Sequence, residues 1–183
     1  GSIWPADALS DDLVHAVEHG VLVGWQRTSV QDIEFSLRQM VEVGSRALSP
    51  GVNDPYTAMV TIDRLSISLV HIMRRRPAQT HWCDEDGVLR LLVHPASFDG
   101  LIDASFNMLR QYGEGSAAVL IRLADRLRDL YELSDTNQRA AICRHLEMVL
   151  RAGRRSLPEP NDLAALEDRM PQAMRVTSAA AQA

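Results

Sequence analysis

The side chains best suited to bind a ligand or to take part in a reaction surround a Pro-Gly turn at positions 50–51. Asn53 and Asp54 follow the turn and place an amide and a carboxylate at the start of the next expected helix. Backbone N–H groups at a helix N-terminus bind anions or carbonyl oxygens. Arg46 lies one turn before the Pro-Gly pair and could add a guanidinium to the same place. The pattern therefore predicts a candidate site for a small anionic ligand at residues 49–57.

The same residues also have a purely structural interpretation. Asp54 is a typical helix cap, and Asn53 is suited to bracing the turn. In this interpretation Arg46 forms an ion pair with Asp54 and no ligand is needed. The sequence leaves both interpretations open, and the frequency of capping at helix starts favours the structural one.

The helix expected before the turn carries an unusually polar side. Its polar residues are Arg27, Gln31, Asp32, Arg38, Gln39, Glu42 and Arg46. Glu42 lies four residues from both Arg38 and Arg46, a spacing that favours weak ion pairs on a solvated face. If these groups are buried instead, they must hydrogen-bond to one another or to a ligand.

Neither metal binding nor nucleophilic catalysis has a complete set of residues. His15 and His19 have the i,i+4 spacing of a zinc pair, but the sequence supplies no third ligand for them. The other histidines and the cysteines are scattered, and we expect the histidines to lie on the surface. Gly-x-Ser-x-Gly and Gly-rich phosphate motifs are missing. We therefore expect no catalytic residue, no metal and no cofactor, and a non-enzymatic function.

Amino-acid composition limits the possible fold classes and the possible binding partners. Of 183 residues, 46% are apolar and only 5% are aromatic, which is typical of helix bundles. The net charge of −5 excludes the broad positive field that nonspecific nucleic-acid binding needs. No stretch has the unbroken run of about 20 apolar residues of a membrane span. Cys83 and Cys143 form no CxxC pair, which is compatible with a reducing compartment.

Apolar periodicity predicts a mainly α fold, a bundle of six to seven helices with one small β-hairpin around residues 81–94. The expected helix starts are Ser10, Thr28, Pro55, Ser97, Ser116 and either Ser134 or Asp135, and the helix from Pro55 is expected to reach Arg76. We expect a linker with a cloning remnant at 1–8, a helical core at 9–157, a short C-terminal helix within 158–175 and a disordered tail at 176–183. The Gly1-Ser2 remnant suggests that the natural chain begins upstream.

Two blocks of sequence resemble a known family. The first contains Arg27-Thr28, Gln31-Asp32 and the string Arg46-Ala47-Leu48-Ser49-Pro50-Gly51-Val52-Asn53-Asp54-Pro55-Tyr56-Thr57-Ala58. The second contains Ser97-Phe98, Asp103, Phe106 and Arg110-Gln111-Tyr112-Gly113. Both are similar to the bacterial predicted membrane proteins grouped as domain of unknown function 2254. The blocks cover roughly the first two-thirds of the chain.

The resemblance implies a parent protein in the bacterial inner membrane, with transmembrane helices before this portion, but it implies no activity. The residues that match the family pattern, and that we take as candidate ligand-binding residues, are Arg27, Gln31, Asp32, Arg38, Arg46, Asn53, Asp54 and Thr57. We expect a cytoplasmic regulatory or assembly domain that forms a homo-oligomer and has its own transmembrane region as a partner. The alternative is an enzyme or a binding domain that uses the Arg/Asp/Asn cluster on an anionic ligand.

Overall fold

A computed structural model of the protein describes residues 2–3, 10–20, 28, 32–76 and 78–174. The chain divides into two compact units. One unit comprises residues 1–32 and 76–96, and the other comprises residues 33–75 and 97–183. The sequence pattern did not indicate this division.

The described residues of the smaller unit form a three-stranded antiparallel sheet and one helix. Its elements are β1 (Ser2–Ile3), α1 (Asp11–Gly20), β2 (His81–Cys83) and β3 (Leu89–Leu92), with β3 in the centre of the sheet. The predicted hairpin is therefore confirmed, and β1 is an additional strand.

A hydrogen-bonded turn closes this hairpin. Oδ1 of Asp84 accepts from the backbone N–H of Asp86 and of Val88, and Oδ2 accepts from Nε of Arg90. Gly87 has a φ of 78°, a left-handed conformation that glycine adopts without a steric cost. The turn residues that the sequence supplies therefore account for the tight connection.

The larger unit is a bundle of helices. Its helices are α2 (Ile33–Ala47), α3 (Pro55–Met73), α4 (Phe98–Tyr112), α5 (Ala117–Leu133), α6 (Thr136–Ser156) and α7 (Pro160–Glu167). α3 packs against α2, α4 and α5, while α6 packs against α4, α5 and α7. The mainly α fold is confirmed.

Capping residues define most of these boundaries. Ser97 caps α4 by accepting from the N–H of Gly100, and Asp135 caps α6 in a reciprocal capping box with Gln138. α2 begins at Ile33 and not near Thr28, since neither Thr28 nor Asp32 is helical. α3 ends at Met73 and not at Arg76, because the N–H of Arg75 donates to the carbonyl of Ile72, three residues back, in a turn that does not continue the helix. The predicted tail at 176–183 lies outside the described residues.

The core of the larger unit is aliphatic around a single large aromatic ring. Its largest fully buried side chains are Phe106, Leu37, Ile62, Leu65, Leu69, Ile102, Leu109, Leu120, Leu123, Leu127, Leu130 and Ile142. Gly44 lets α2 approach this core closely. A Cβ atom added there would lie 2.7 Å from Cδ2 of Leu109 and 3.0 Å from Cγ2 of Thr61. A side chain at position 44 would therefore disturb the packing of α2 against α3 and α4.

Candidate functional site

The turn between α2 and α3 is held by its own hydrogen bonds. Oδ1 of Asp54 accepts from the N–H of Thr57 at 3.1 Å, and Oδ2 accepts from its hydroxyl at 2.5 Å. These bonds, led by the one from the Thr57 side chain, lower the pKa of Asp54. The carboxylate is therefore engaged in capping α3, and the structural interpretation of Asp54 is confirmed.

Asn53 contributes its backbone conformation to this turn. It has a φ of 48°, in the left-handed region that asparagine tolerates better than most residues. Its N–H donates to the carbonyl of Ser49, and the N–H of Asp54 donates to the carbonyl of Ala47. Asn53 is exposed, so its role in the described structure is to shape the connection.

The two predicted arginines of α2 form ion pairs along their own helix. Arg46 pairs with Glu42, so the expected pair with Asp54 is wrong; the closer partner lies one helical turn away. Arg38 pairs with Glu34 at 2.7 Å and not with Glu42, which Arg46 occupies. The side chain of Arg38 is 57% exposed and that of Arg46 is 78% exposed, which supports the solvated-face interpretation.

The predicted site residues therefore fall into separate places. Arg27 and Gln31 lie outside the described residues. Asp32 belongs to the smaller unit, while Asn53, Asp54 and Thr57 build the turn. Arg38 and Arg46 line one groove, and Ser49 is the part of the turn that lines it with them.

This groove runs between α2 and α4 and has a volume of about 730 Å³. Its α2 wall consists of Glu34, Arg38, Val41, Glu42, Ser45, Arg46 and Ser49. Its α4 wall consists of Gly100, Asp103, Ala104, Asn107, Met108, Gln111 and Tyr112. A volume in this range accommodates a small-molecule ligand. The groove is the candidate functional site.

One neutral polar group that lines the groove has no internal partner. The hydroxyl of Ser45 is buried and accepts or donates no hydrogen bond within the described structure. Buried polar groups are normally satisfied, so such a hydroxyl needs an explanation. No sequence signal selects Ser45, because a small hydroxyl in an apolar stripe usually bonds to its own helix.

Asp103 links the groove to α6. Its Oδ1 accepts from Nη2 of Arg144 at 3.1 Å and lies 2.7 Å from Nε2 of His145. His145 is fully buried, and its ring meets that of Phe106 edge to face. The expectation of a surface histidine is wrong here, because residues 42 positions apart in sequence pack together and Asp103 satisfies one ring nitrogen.

The electrostatics of this cluster follow from burial and pairing. Burial lowers the pKa of His145 and outweighs the opposing effect of the hydrogen bond that the ring donates to Asp103. Burial also raises the pKa of Asp103, but hydrogen bonds from His145 and Arg144 outweigh that effect and leave the pKa low. The cluster therefore consists of a carboxylate, a guanidinium and a neutral imidazole near pH 7. A carboxylate only accepts, so the imidazole proton lies on Nε2.

Metal ligands do not converge within the part of the chain that the structure describes. No group of three or more His, Cys, Asp or Glu residues there could hold an ion. His15 and His19 are exposed, with ring centroids 5.9 Å apart. Cys83 and Cys143 are free thiols.

Comparisons with known proteins give relatives without assigned functions. An uncharacterized protein of Mycobacterium bovis is 34% identical over 146 residues. The alignment covers 79% of this chain and 28% of the relative, and an uncharacterized protein of Mycobacterium tuberculosis gives the same values. The chain thus spans just over a quarter of the curated relatives it matches. No solved structure matches it significantly.

A family model described as "Predicted membrane protein (DUF2254)" matches residues 1–129. Of the helices in the described ranges, none combines the length and hydropathy needed to cross a bilayer. The matched segment includes the turn and both walls of the groove, and it confirms the resemblance seen in the two sequence blocks. The chain belongs to the DUF2254 family of predicted membrane proteins.

Proposed function

We propose that this chain is a non-enzymatic assembly and regulatory domain of a membrane protein, and that it pairs with a second copy through the outer face of α3. The family membership supports a membrane parent, because the family is described as predicted membrane proteins. The relatives extend well beyond the matched region, so pairing here could set the arrangement of the remaining chain.

The exposed apolar stripe of α3 carries this proposal. Tyr56, Val60 and Ile67 are 72%, 36% and 59% exposed, respectively. At 100° per residue they share, with Arg64 and His71, an arc of about 80° on the helix. The neighbouring helices α2, α4 and α5 cover the other faces of α3. Large apolar side chains grouped on one exposed face are typical of an interaction surface.

The order of residues on this face favours a second copy as the partner. In an antiparallel pairing centred between Asp63 and Arg64, Val60 meets Ile67 of the second copy. The same pairing places Tyr56 opposite His71 of the second copy. A two-fold interface needs such self-complementarity, because one surface must fit itself.

Charge at the centre of the face fits the same arrangement. Arg64 is exposed and forms no ion pair with the described residues. The Asp63 side chain is 35% exposed; its buried Oδ1 is approached by Arg122 at 3.6 Å and by Arg126 at 3.7 Å without a hydrogen bond in the described structure. Antiparallel pairing would bring Arg64 of each copy towards Asp63 of the other.

The size of the stripe limits the strength of the association. Residues 56–71 of a helix span about 24 Å at 1.5 Å per residue. One helix pair of that length buries less than the roughly 1,000 Å² of a stable interface. We therefore expect a weak dimer, with a Kd on the order of 10 µM for the isolated chain.

Sedimentation velocity of the full 183-residue chain between about 1 and 100 µM tests the proposal. We expect a concentration-dependent dimer that Ile67→Arg abolishes. Leu133→Arg is the matched control, because Leu133 is 55% exposed at the end of α5, and it should leave the dimer intact. A wild-type chain that remains monomeric throughout, or equal effects of the two substitutions, would contradict the proposal.

We also propose that the domain faces the cytoplasm, as the free thiols of Cys83 and Cys143 favour a reducing compartment. Cys83 is exposed, whereas burial raises the pKa of Cys143 and slows its reaction. In a full-length protein with Cys83 as its sole cysteine, a membrane-impermeant maleimide should label permeabilised cells only. Labelling of intact cells would place the domain on the outer side.

A further inference from the structure

We propose that the groove between α2 and α4 binds an uncharged, polyhydroxylated molecule of mono- to disaccharide size. This site is separate from the outer face of α3 and does not depend on pairing of two copies. The proposal rests on which groups in the groove already have partners and which do not.

The charged groups of the groove already have partners within the chain. Arg38 pairs with Glu34, and Arg46 pairs with Glu42. Asp103 accepts from Arg144 and His145, which both belong to α6. An anionic ligand would have to compete with these internal carboxylates for the arginines. The geometry therefore favours an uncharged ligand over the anionic ligand that the arginines suggested in sequence.

The unused hydrogen-bonding capacity belongs to neutral side chains. Ser45 is only 9% exposed, and its Oγ has no partner in the described structure. The opposite wall adds the amides of Asn107 and Gln111 and the hydroxyl of Tyr112. Hydroxyl and amide groups each donate and accept, which matches the hydroxyls of a sugar or polyol.

The remaining surface of the groove suits the carbon face of a sugar ring. Met108 and Tyr112 are 45% and 55% exposed and line the same wall. Gly100 has no side chain and Ala104 has only a methyl group, so both leave room between α4 and α2. Binding sites commonly combine apolar surface with a few polar groups that orient the ligand. The volume of about 730 Å³ accommodates one or two sugar rings.

The test uses the full 183-residue chain and saturation-transfer NMR with two sets of probes at about 10 mM. The neutral set is glucose, mannose and maltose, and the charged set is glucose 6-phosphate and glucosamine. We expect at least one neutral sugar to bind, and the charged compounds to bind no more tightly than it does. Titration of that sugar in the same experiment gives the Kd.

Three variants separate binding from folding. Asn107→Ala and Ser45→Ala should each weaken sugar binding by about tenfold, the effect of one lost hydrogen bond. Asn137→Ala removes an exposed amide of α6 outside the groove and should bind as the wild type does. Ser45→Ala also removes an unpaired buried hydroxyl, so its Tm should be unchanged or higher while its affinity falls.

The proposal is overturned if no neutral sugar binds, if the charged compounds bind more tightly, or if both groove variants bind like the wild type. The Ile67→Arg chain distinguishes this proposal from self-association. It should bind sugar with wild-type affinity even though it is monomeric. Loss of sugar binding in that variant would also overturn an independent groove site.

Discussion

Nε2 of His145 lies 2.7 Å from Oδ1 of Asp103, and this contact joins a fully buried ring on α6 to the wall of the groove on α4. Nδ1 of the same ring is buried and has no hydrogen-bond partner in the described structure. The imidazole is therefore held neutral in a place where a second proton would be poorly accommodated.

We predict that acid destabilises the larger unit through His145. Burial lowers the pKa of this ring in the folded protein, while the unfolded chain takes up a proton near the ordinary pKa of about 6.5. The unfolded state then binds more protons, so stability falls as the pH drops below about 6.5. The low pKa of Asp103 causes a further loss in more acidic solution, as that carboxylate becomes protonated.

Urea unfolding at pH 7 and pH 5 measures this effect. His145→Gln keeps an N–H donor for Asp103 but cannot titrate, so its stability should depend less on pH than that of the wild type. His94→Gln, at an exposed histidine, should retain the wild-type dependence. An undiminished dependence in His145→Gln would exclude the buried imidazole as the cause.

We predict that Gly44→Ala destabilises the protein by about 1–3 kcal/mol, despite the better helix propensity of alanine. The added methyl group would overlap Leu109, which is fully buried and has little space to move. Gly100→Ala on α4 is the control, because its nearest new contact would be Ser97 Oγ at an ordinary 3.4 Å. That variant should be neutral or up to about 1 kcal/mol more stable. Equal Tm shifts for the two would argue against close packing at Gly44.

We predict that Asp54→Ala lowers the Tm, because α3 loses the carboxylate that accepts from Thr57. Asp54→Asn should retain most of the stability, since asparagine caps helices about as well as aspartate. Neither change should alter sugar binding in the groove, because Asp54 does not line it. A binding defect with an unchanged Tm would instead assign Asp54 to a ligand site.

Local signals were sufficient to predict much of the fold. Ser97, Asp54 and Asp135 each cap a helix by accepting from the residue three positions ahead, so the start of each of these helices could be predicted from sequence. The turn residues around Gly87 likewise predicted the hairpin. Contacts between distant residues could not be predicted in this way. Periodicity says which face of a helix is buried but not which partner covers it.

The candidate site shows the same limit. Arg38 and Arg46 were chosen from α2, and both line the groove. The opposite wall, with Asn107 and Gln111, was missed because its closeness to α2 depends on tertiary packing. Asp103 and Gln111 did occur in the second family block, which was the available signal. Their place in the groove depends on the packing of α4 against α2, which local sequence patterns do not show.

The hydrogen bonds that Arg144 and His145 of α6 donate to Asp103 limit where this domain can be trimmed. The family match ends at residue 129, within α5, whereas Arg144 and His145 lie beyond it and α7 packs on α5 and α6. A fragment cut at the matched boundary would expose the aliphatic inner side of α5 to water and leave the groove aspartate without its donors. Expression boundaries for this domain should therefore enclose α7.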